Sequence, residues 1–447
     1  MASYIERPRF TCALGGAIAA VTAIDRAVPI IHGPPGCAGN LAWTQAGGCG
    51  LQVGGYCGGL SAPGSNVQER EVVFGGGERL TEQVTNTLQV MDGSLYAVLT
   101  SCVTEMIGDD VGAIVLPLAE QGVPIIYAET GGFRGNSYHG YELVLESLLK
   151  DFAPVSGEKR RGHVNLWGIA PNFDVFWRGN LLGLRRMLAR LGLTVNTFFT
   201  VDDRLEDIRQ AGSAELNIVV SDVYGWRAAQ TAEEIHGTPY ITTPLPIGPA
   251  ASSAFLRDIG AALQLDPAAV ETVIAEENGR FYRQLEPLTD CFNDMDLQRY
   301  AAVVGDANYA PALTRFLSED LGWLPAAVAV TDPLDEDQQA RLGARLAVPL
   351  AGGAPKIIFS GDTSVIRREI ADHWQNHAGN GKYANPLTPA FVVGSSLDRE
   401  LATELKAGHL SVSFPVANRA VIDRGYTGFD GGLRLIEDLI SAIIAAR

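Results

Sequence analysis

Short apolar runs, each closed by a small-residue turn and followed by a helical stretch, recur along the whole chain. AVPIIHG, YAVLTSC and VPIIYAE fill the first third. VNLWGIAPN precedes the helical GNLLGLRRMLARLG, and NIVVSDVYG precedes WRAAQTAEEIHG. AAVVGDANYA, KIIFSGDTS and FVVGSSLD follow in the last third. Runs this short and this continuously apolar suit strands of a parallel sheet covered on both faces. Their alternation with helices predicts doubly wound, Rossmann-like α/β units. The 50 glycines fit tight strand-to-helix turns, because no fixed period marks a fibrous repeat.

A length of 447 residues exceeds one usual core. The polar stretch SGEKRRGH and the end of a helix-rich stretch before Gln298 divide the chain. The expected α/β domains are residues 1–160, 161–297 and 298–447, each of ordinary size. The last ends on GGLRLIEDLISAIIAAR, which places Leu435, Ile436, Leu439, Ile440, Ile443 and Ile444 on one helical face. A net charge of -17 argues against nucleic acid as a partner, since no basic face would neutralise many phosphates. No apolar run reaches ~18 residues, so no membrane span is expected. MASYIERPRF does not read as a secretory leader, so a cytoplasmic protein is expected.

Three of the six cysteines stand in small-residue turns: RFTCALGG (Cys12), HGPPGCAGN (Cys37) and LTSCVTEMIGDD (Cys102). Cys102 follows a strand-like run and opens a helix, where free N–H groups favour a thiolate. Pro34 and Pro35 stiffen the turn before Cys37, and Gly36 leaves room for a bulky ligand. Gly15 and Gly16 do the same after Cys12. Small residues around thiols suit an inorganic cluster; three buried cysteines acting as small hydrophobes are the other reading. Zinc and simple iron–sulfur sites usually take four ligands from one chain, so three thiols call for a partner subunit.

Cys49 and Cys57 share the Gly-rich stretch AGGCGLQVGGYCGGLSAPG, which suits a metal site, a redox pair or an interface loop. Cys291 stands alone. Asp109–Asp110 reads as a turn or helix-capping device. His32, His139 and His163 belong to no metal-binding spacing. There is no GxxxxGK(S/T) loop, so the chain itself should not hydrolyse ATP, and no GxGxxG follows a strand.

CALGG, HGPPGC and TSCVTEMIGDD together resemble the nitrogenase component 1 superfamily. EREVVFGGGERL (69–80) and GGFRGNSYHGYE (131–142) are similar to further family segments. The resemblance implies that Cys12, Cys37 and Cys102 are metal ligands. They would hold half of a P-cluster, an eight-iron, seven-sulfur group shared with a homologous subunit. NIVVSDVYGWRAAQTAEEIHGTPY carries Ser221 where the D-type (alpha) subunit has a cofactor cysteine, and the ending resembles the K-type (beta). A K-type chain would hold no substrate-reducing residues of its own. It would relay electrons from an ATP-dependent iron protein to the cofactor of a D-type partner, in an alpha2beta2 assembly. Asn136, with Ser137 beside it, falls where molybdenum-type K subunits place a cluster-ligating serine. The short N-terminus and the double-cysteine stretch resemble a nitrogenase-like reductase such as methylthio-alkane reductase, which cleaves C–S bonds. Beta subunits of vanadium or iron-only nitrogenases, a chlorophyllide-type reductase subunit and a cofactor-assembly scaffold are the alternatives.

Overall fold

The structure, a computed structural model, describes residues 5–52, 62–347, 353–377 and 386–445. Its first sheet contains β1 (Ala27–His32), β2 (Leu95–Thr100) and β3 (Ile125–Ala128), all parallel, with β2 in the centre. All six residues of β2 are buried, as its unbroken apolar text requires. The second sheet holds β4 (Arg160–Trp167), β5 (Thr194–Asn196), β6 (Ala214–Val219) and β7 (Tyr240–Thr242), in the order β5-β4-β6-β7. The third holds β8 (Tyr300–Gly305), β9 (Leu324–Val330), β10 (Lys356–Phe359), β11 (Ala390–Gly394) and β12 (Gly408–Ser411), in the order β10-β9-β8-β11-β12. Every pairing among these strands is parallel, and in the second and third sheets the order runs outward in both directions from the earliest strand, as doubly wound α/β units do.

Six helices matter for the site: α1 (Ala13–Ala23), α2 (Pro35–Gly48), α3 (Glu69–Phe74), α4 (Cys102–Ile107), α5 (Ser137–Ser147) and α6 (Gly428–Ala445). Helix α1 is apolar all round and buried almost throughout. It crosses α5 with the two backbones in contact. A Cβ at Gly16 would lie 1.6 Å from the Ser137 carbonyl oxygen, and one at Gly140 would lie 1.8 Å from that of Ala13. Gly16 is therefore a packing residue, not room for a ligand as its sequence position suggested. A Cβ at Gly15 would likewise meet Thr11. Gly140→Ala must push the helices apart. Its expected cost is at least about 3 kcal/mol, read from the denaturant midpoint of the purified chain.

Half of the polar SGEKRRGH text is strand, because β4 starts at Arg160. Helix α6 buries Leu435, Ile436, Leu439, Ile440 and Ile443. Ile444, expected on the same face, is 49% exposed. It lies at the last turn, where the helix runs past the core it covers. Helix α6 packs on helices of the second sheet and on β12 of the third, so it braces the two.

Candidate functional site

The carboxyl edge of the first sheet gathers the cysteines. Strand β1 runs through Gly33 and Pro34 into α2, whose third residue is Cys37, and β2 runs through Ser101 into Cys102, the first residue of α4. Parallel neighbours leave a crevice at such an edge, where α/β proteins bind their ligands. Cys12 caps α1 and reaches the same edge by backbone pairing with the segment after β3. Ala13 N–H donates to Gly135 O at 3.0 Å and Ser137 N–H to Thr11 O at 2.8 Å, so Cys12 lies opposite Asn136.

Gly132 sits between two of the sulfurs. A Cβ there would be 3.0 Å from Sγ of Cys102 and 3.7 Å from Sγ of Cys12, so a side chain at 132 would intrude on both. Its N–H donates to Sγ of Cys102 at 2.9 Å. Glu105 fixes this turn from α4, accepting from Gly131 N–H at 2.6 Å and from Nε of Arg134 at 2.6 Å. Burial pushes the Cys37 thiol up, and the charges of Cys12 and Cys102 push it further. Three thiolates this close repel one another unless a cation shares them. All three are half-buried in the single chain. Among the described residues, no three His, Cys, Asp or Glu side chains converge on one ion. The arrangement offers an open, three-sulfur edge suited to a larger group.

The other sequence candidates separate from this edge. Cys49 ends α2, is fully buried, and has its thiol pushed up by that burial. It is a core thiol, and α2 runs through the glycines before it instead of forming a loop. Cys57 lies outside the described residues. Cys291 is exposed. The Asn136 side chain accepts the His139 N–H at 3.1 Å, capping α5, so its oxygen already has a partner. The neighbouring Ser137 hydroxyl is fully buried and lacks a hydrogen bond among the described residues. Ser221 is buried too, and its hydroxyl accepts from the N–H groups of Val223 and Tyr224 at 3.1 and 2.8 Å. His139 pairs with Glu142 and Arg227, and His163 is half-buried on β4.

A cleft of about 670 Å³ opens beside Cys12, which lines it together with Gly132, Asn136, Tyr138, Tyr224 and Asp332. Tyr138 stacks on Tyr224 with centroids 4.1 Å apart. Below them, where the three sheets meet, Asp174, Asp306 and Asp332 are buried. Their recorded partners are neutral: backbone N–H groups, Asn180 and tyrosine hydroxyls. Burial raises all three carboxyls, Asp174 to about 7, and the charge of Asp306 raises Asp332 further. Each therefore binds its proton more tightly folded than unfolded. That contribution is complete below the ordinary carboxylate range and is lost as pH rises through about 7. Asp332→Asn removes one such charge. Stability at pH 8 should rise by about 1–2 kcal/mol, with little change at pH 5, in paired denaturant titrations.

Sequence reasoning noticed His32 and Asp109 but not their connection. His32 is fully buried at the end of β1, with Nε2 2.9 Å from Oδ2 of Asp109 and Nδ1 2.9 Å from Oγ of Ser65. Asp110 caps the next helix by accepting from Ala113 N–H.

Residues 12–444 match the model of the family described as nitrogenase component 1 type oxidoreductase. The nitrogenase molybdenum-iron protein beta chain of Sinorhizobium fredii is 24% identical over 98% of this chain and 84% of its own length. The nitrogenase iron-molybdenum cofactor biosynthesis protein NifE of a Nostoc species is 32% identical, over 62% of this chain and 56% of its own length. The solved nitrogenase Cp1 at pH 6.5 superposes with a TM-score of 0.80 at 21% identity, covering 100% of this chain and 94% of that one, which establishes the shared fold. The chain thus belongs to the nitrogenase component 1 type oxidoreductases.

Proposed function

We propose that this chain is the beta subunit of a nitrogenase-like two-component reductase, and that Cys12, Cys37 and Cys102 hold half of a P-cluster. The observation that carries the reading is the half-buried three-sulfur edge, with Gly132 touching two of the thiols. Such a group, when bound, supplies electron storage and transfer. The chain's own residues orient it: Gly132 N–H and the Glu105–Arg134 pair fix the Cys102 side, and the α1–α5 crossing fixes Cys12. The remaining ligands come from a D-type alpha subunit, which also carries the substrate-reducing cofactor, in an alpha2beta2 complex in the cytoplasm.

Beside Cys102 the surface is apolar. Phe74 and Val73 on α3, Met106 on α4 and Phe133 next to Gly132 are 83%, 72%, 78% and 61% exposed. Helix α3 packs on α4, so these side chains belong to one region around the thiols. Exposed apolar groups of this kind mark a docking surface, here for the ATP-hydrolysing iron protein.

For the reaction we propose reductive C–S cleavage of methylthio-alkanes, resting on the double-cysteine stretch around Cys49 and Cys57. The purified complex, supplied with iron protein and ATP, should deliver two electrons and two protons to dimethyl sulfide and release methanethiol and methane together. Ammonia from N₂ instead would reassign it to a vanadium or iron-only nitrogenase. The similarity to a NifE protein supports a second reading, a cofactor-assembly scaffold. A complex that reduces no substrate but passes a bound iron cluster to an apo-reductase would establish that reading.

A further inference from the structure

The buried His32–Asp109 pair joins the exposed apolar surface to two of the cysteine segments. The Asp109 carboxylate accepts from Gly76 N–H at 2.8 Å through Oδ1, while Oδ2 meets His32 Nε2 at 2.9 Å. Gly76 is therefore seated on the pair. A Cβ there would lie 2.6 Å from Oδ2 of Asp109 and 3.0 Å from Cε1 of His32, so the glycine is what lets the backbone close on it. Phe74, 83% exposed, is two residues away and ends α3.

From the pair, contacts lead to both cysteines. The His32 carbonyl accepts from Ser101 N–H at 2.9 Å and from the Thr104 hydroxyl at 3.0 Å, on either side of Cys102. Asp109 N–H donates to Thr104 O, closing the end of α4. Toward Cys37 the route from His32 is short and stiff, because Pro34 and Pro35 fix their backbone φ angles. Ser65 holds the other ring nitrogen and accepts from Gly33 N–H at 3.1 Å. The Phe74–Gly76 turn is thus linked through Asp109 and His32 to both cysteine segments.

We propose that His32 and Asp109 are positioning residues that transmit docking of the partner protein at Phe74 to the geometry of Cys37 and Cys102. The proposal rests on the reading that those thiols hold a redox cluster and that the apolar surface receives the iron protein. Energetic coupling between sites is carried by chains of packed and hydrogen-bonded groups of this kind.

The test uses the assembled complex, with wild-type, His32→Gln and Asp109→Asn chains. Iron content and the cluster's electron paramagnetic resonance spectrum are recorded alone and with iron protein held on the complex by a slowly hydrolysed ATP analogue. The expected result is equal iron in all three and a docking-induced spectral change in the wild type only. Electron transfer should fall at least tenfold in His32→Gln and less in Asp109→Asn, which still accepts from Gly76. If both variants lose iron, Ser65→Ala, which frees the ring on its other side, provides the same comparison. A wild-type spectrum unmoved by docking, or the same change in the variants, overturns the proposal and leaves the cluster assignment standing. Absence of iron from the wild type overturns that assignment instead.

Discussion

Cys102→Ala should lower the iron content of the assembled complex by at least half and electron transfer by at least about 100-fold. Loss of a residue that merely orients a metal ligand costs 10–100-fold in affinity or activity, and Cys102 is proposed as a ligand itself. Its sulfur also receives the Gly132 N–H, so the substitution removes the thiolate and leaves that donor without an acceptor. The fold should survive, because Cys102 is half-buried and starts a six-residue helix whose capping contacts come from Ser101 and Thr104. Cys291→Ala, at an exposed position, is the control and should change nothing. Iron counting and single-turnover electron transfer on the same preparations read both effects. Full iron with unchanged transfer would remove Cys102 from the site.

Arg9→Met should destabilise the protein by about 3–5 kcal/mol at pH 7, the cost of leaving a buried charge unpaired. The Arg9 guanidinium is 2% exposed. It makes two bonds to the Asp398 carboxylate at 2.6 and 2.7 Å, and further bonds to Ser395 and Thr363. Burial alone would raise the Asp398 carboxyl, but the Arg9 charge and the hydrogen bonds hold it below its ordinary range. The pair's contribution is therefore present above the ordinary carboxylate range and is lost as pH falls through the lowered folded value. The difference between Arg9→Met and wild type should shrink in acid, opposite in sign to the Asp332 effect. Removing both charges, in Arg9→Met with Asp398→Asn, should recover most of the loss in a denaturant titration. Equal destabilisation by the single and double variants would show that packing, not charge, is at stake. Arg9 lies three residues before Cys12, so this pair also ties the first cysteine segment to the third sheet.

The alternation of apolar runs and helices was enough to read the α/β class, because parallel strands buried on both faces leave an unbroken apolar text. The cysteine trio was legible because thiols are rare and each stood in a turn. What escaped the sequence is long-range. Arg9 and Asp398 are 389 positions apart, and nothing local marks either as buried. Asp306 and Asp332 follow β8 and β9, where an aspartate reads as an ordinary turn residue, yet three such turns meet in the interior. Gly15 and Gly16 were misread because a glycine beside a cysteine looks the same whether it admits a ligand or another helix. The glycines of α2 looked like a loop, but Gln45 within that helix donates to Gly15 O at 2.8 Å and anchors it.

An iron anomalous-difference map of the purified complex tests the central assignment most directly. Iron density within bonding distance of Cys12, Cys37 and Cys102 together, shared with sulfurs of the partner subunit, is the expected result. Iron absent from these three thiols, or bound instead at Cys49 or Cys57, would contradict it.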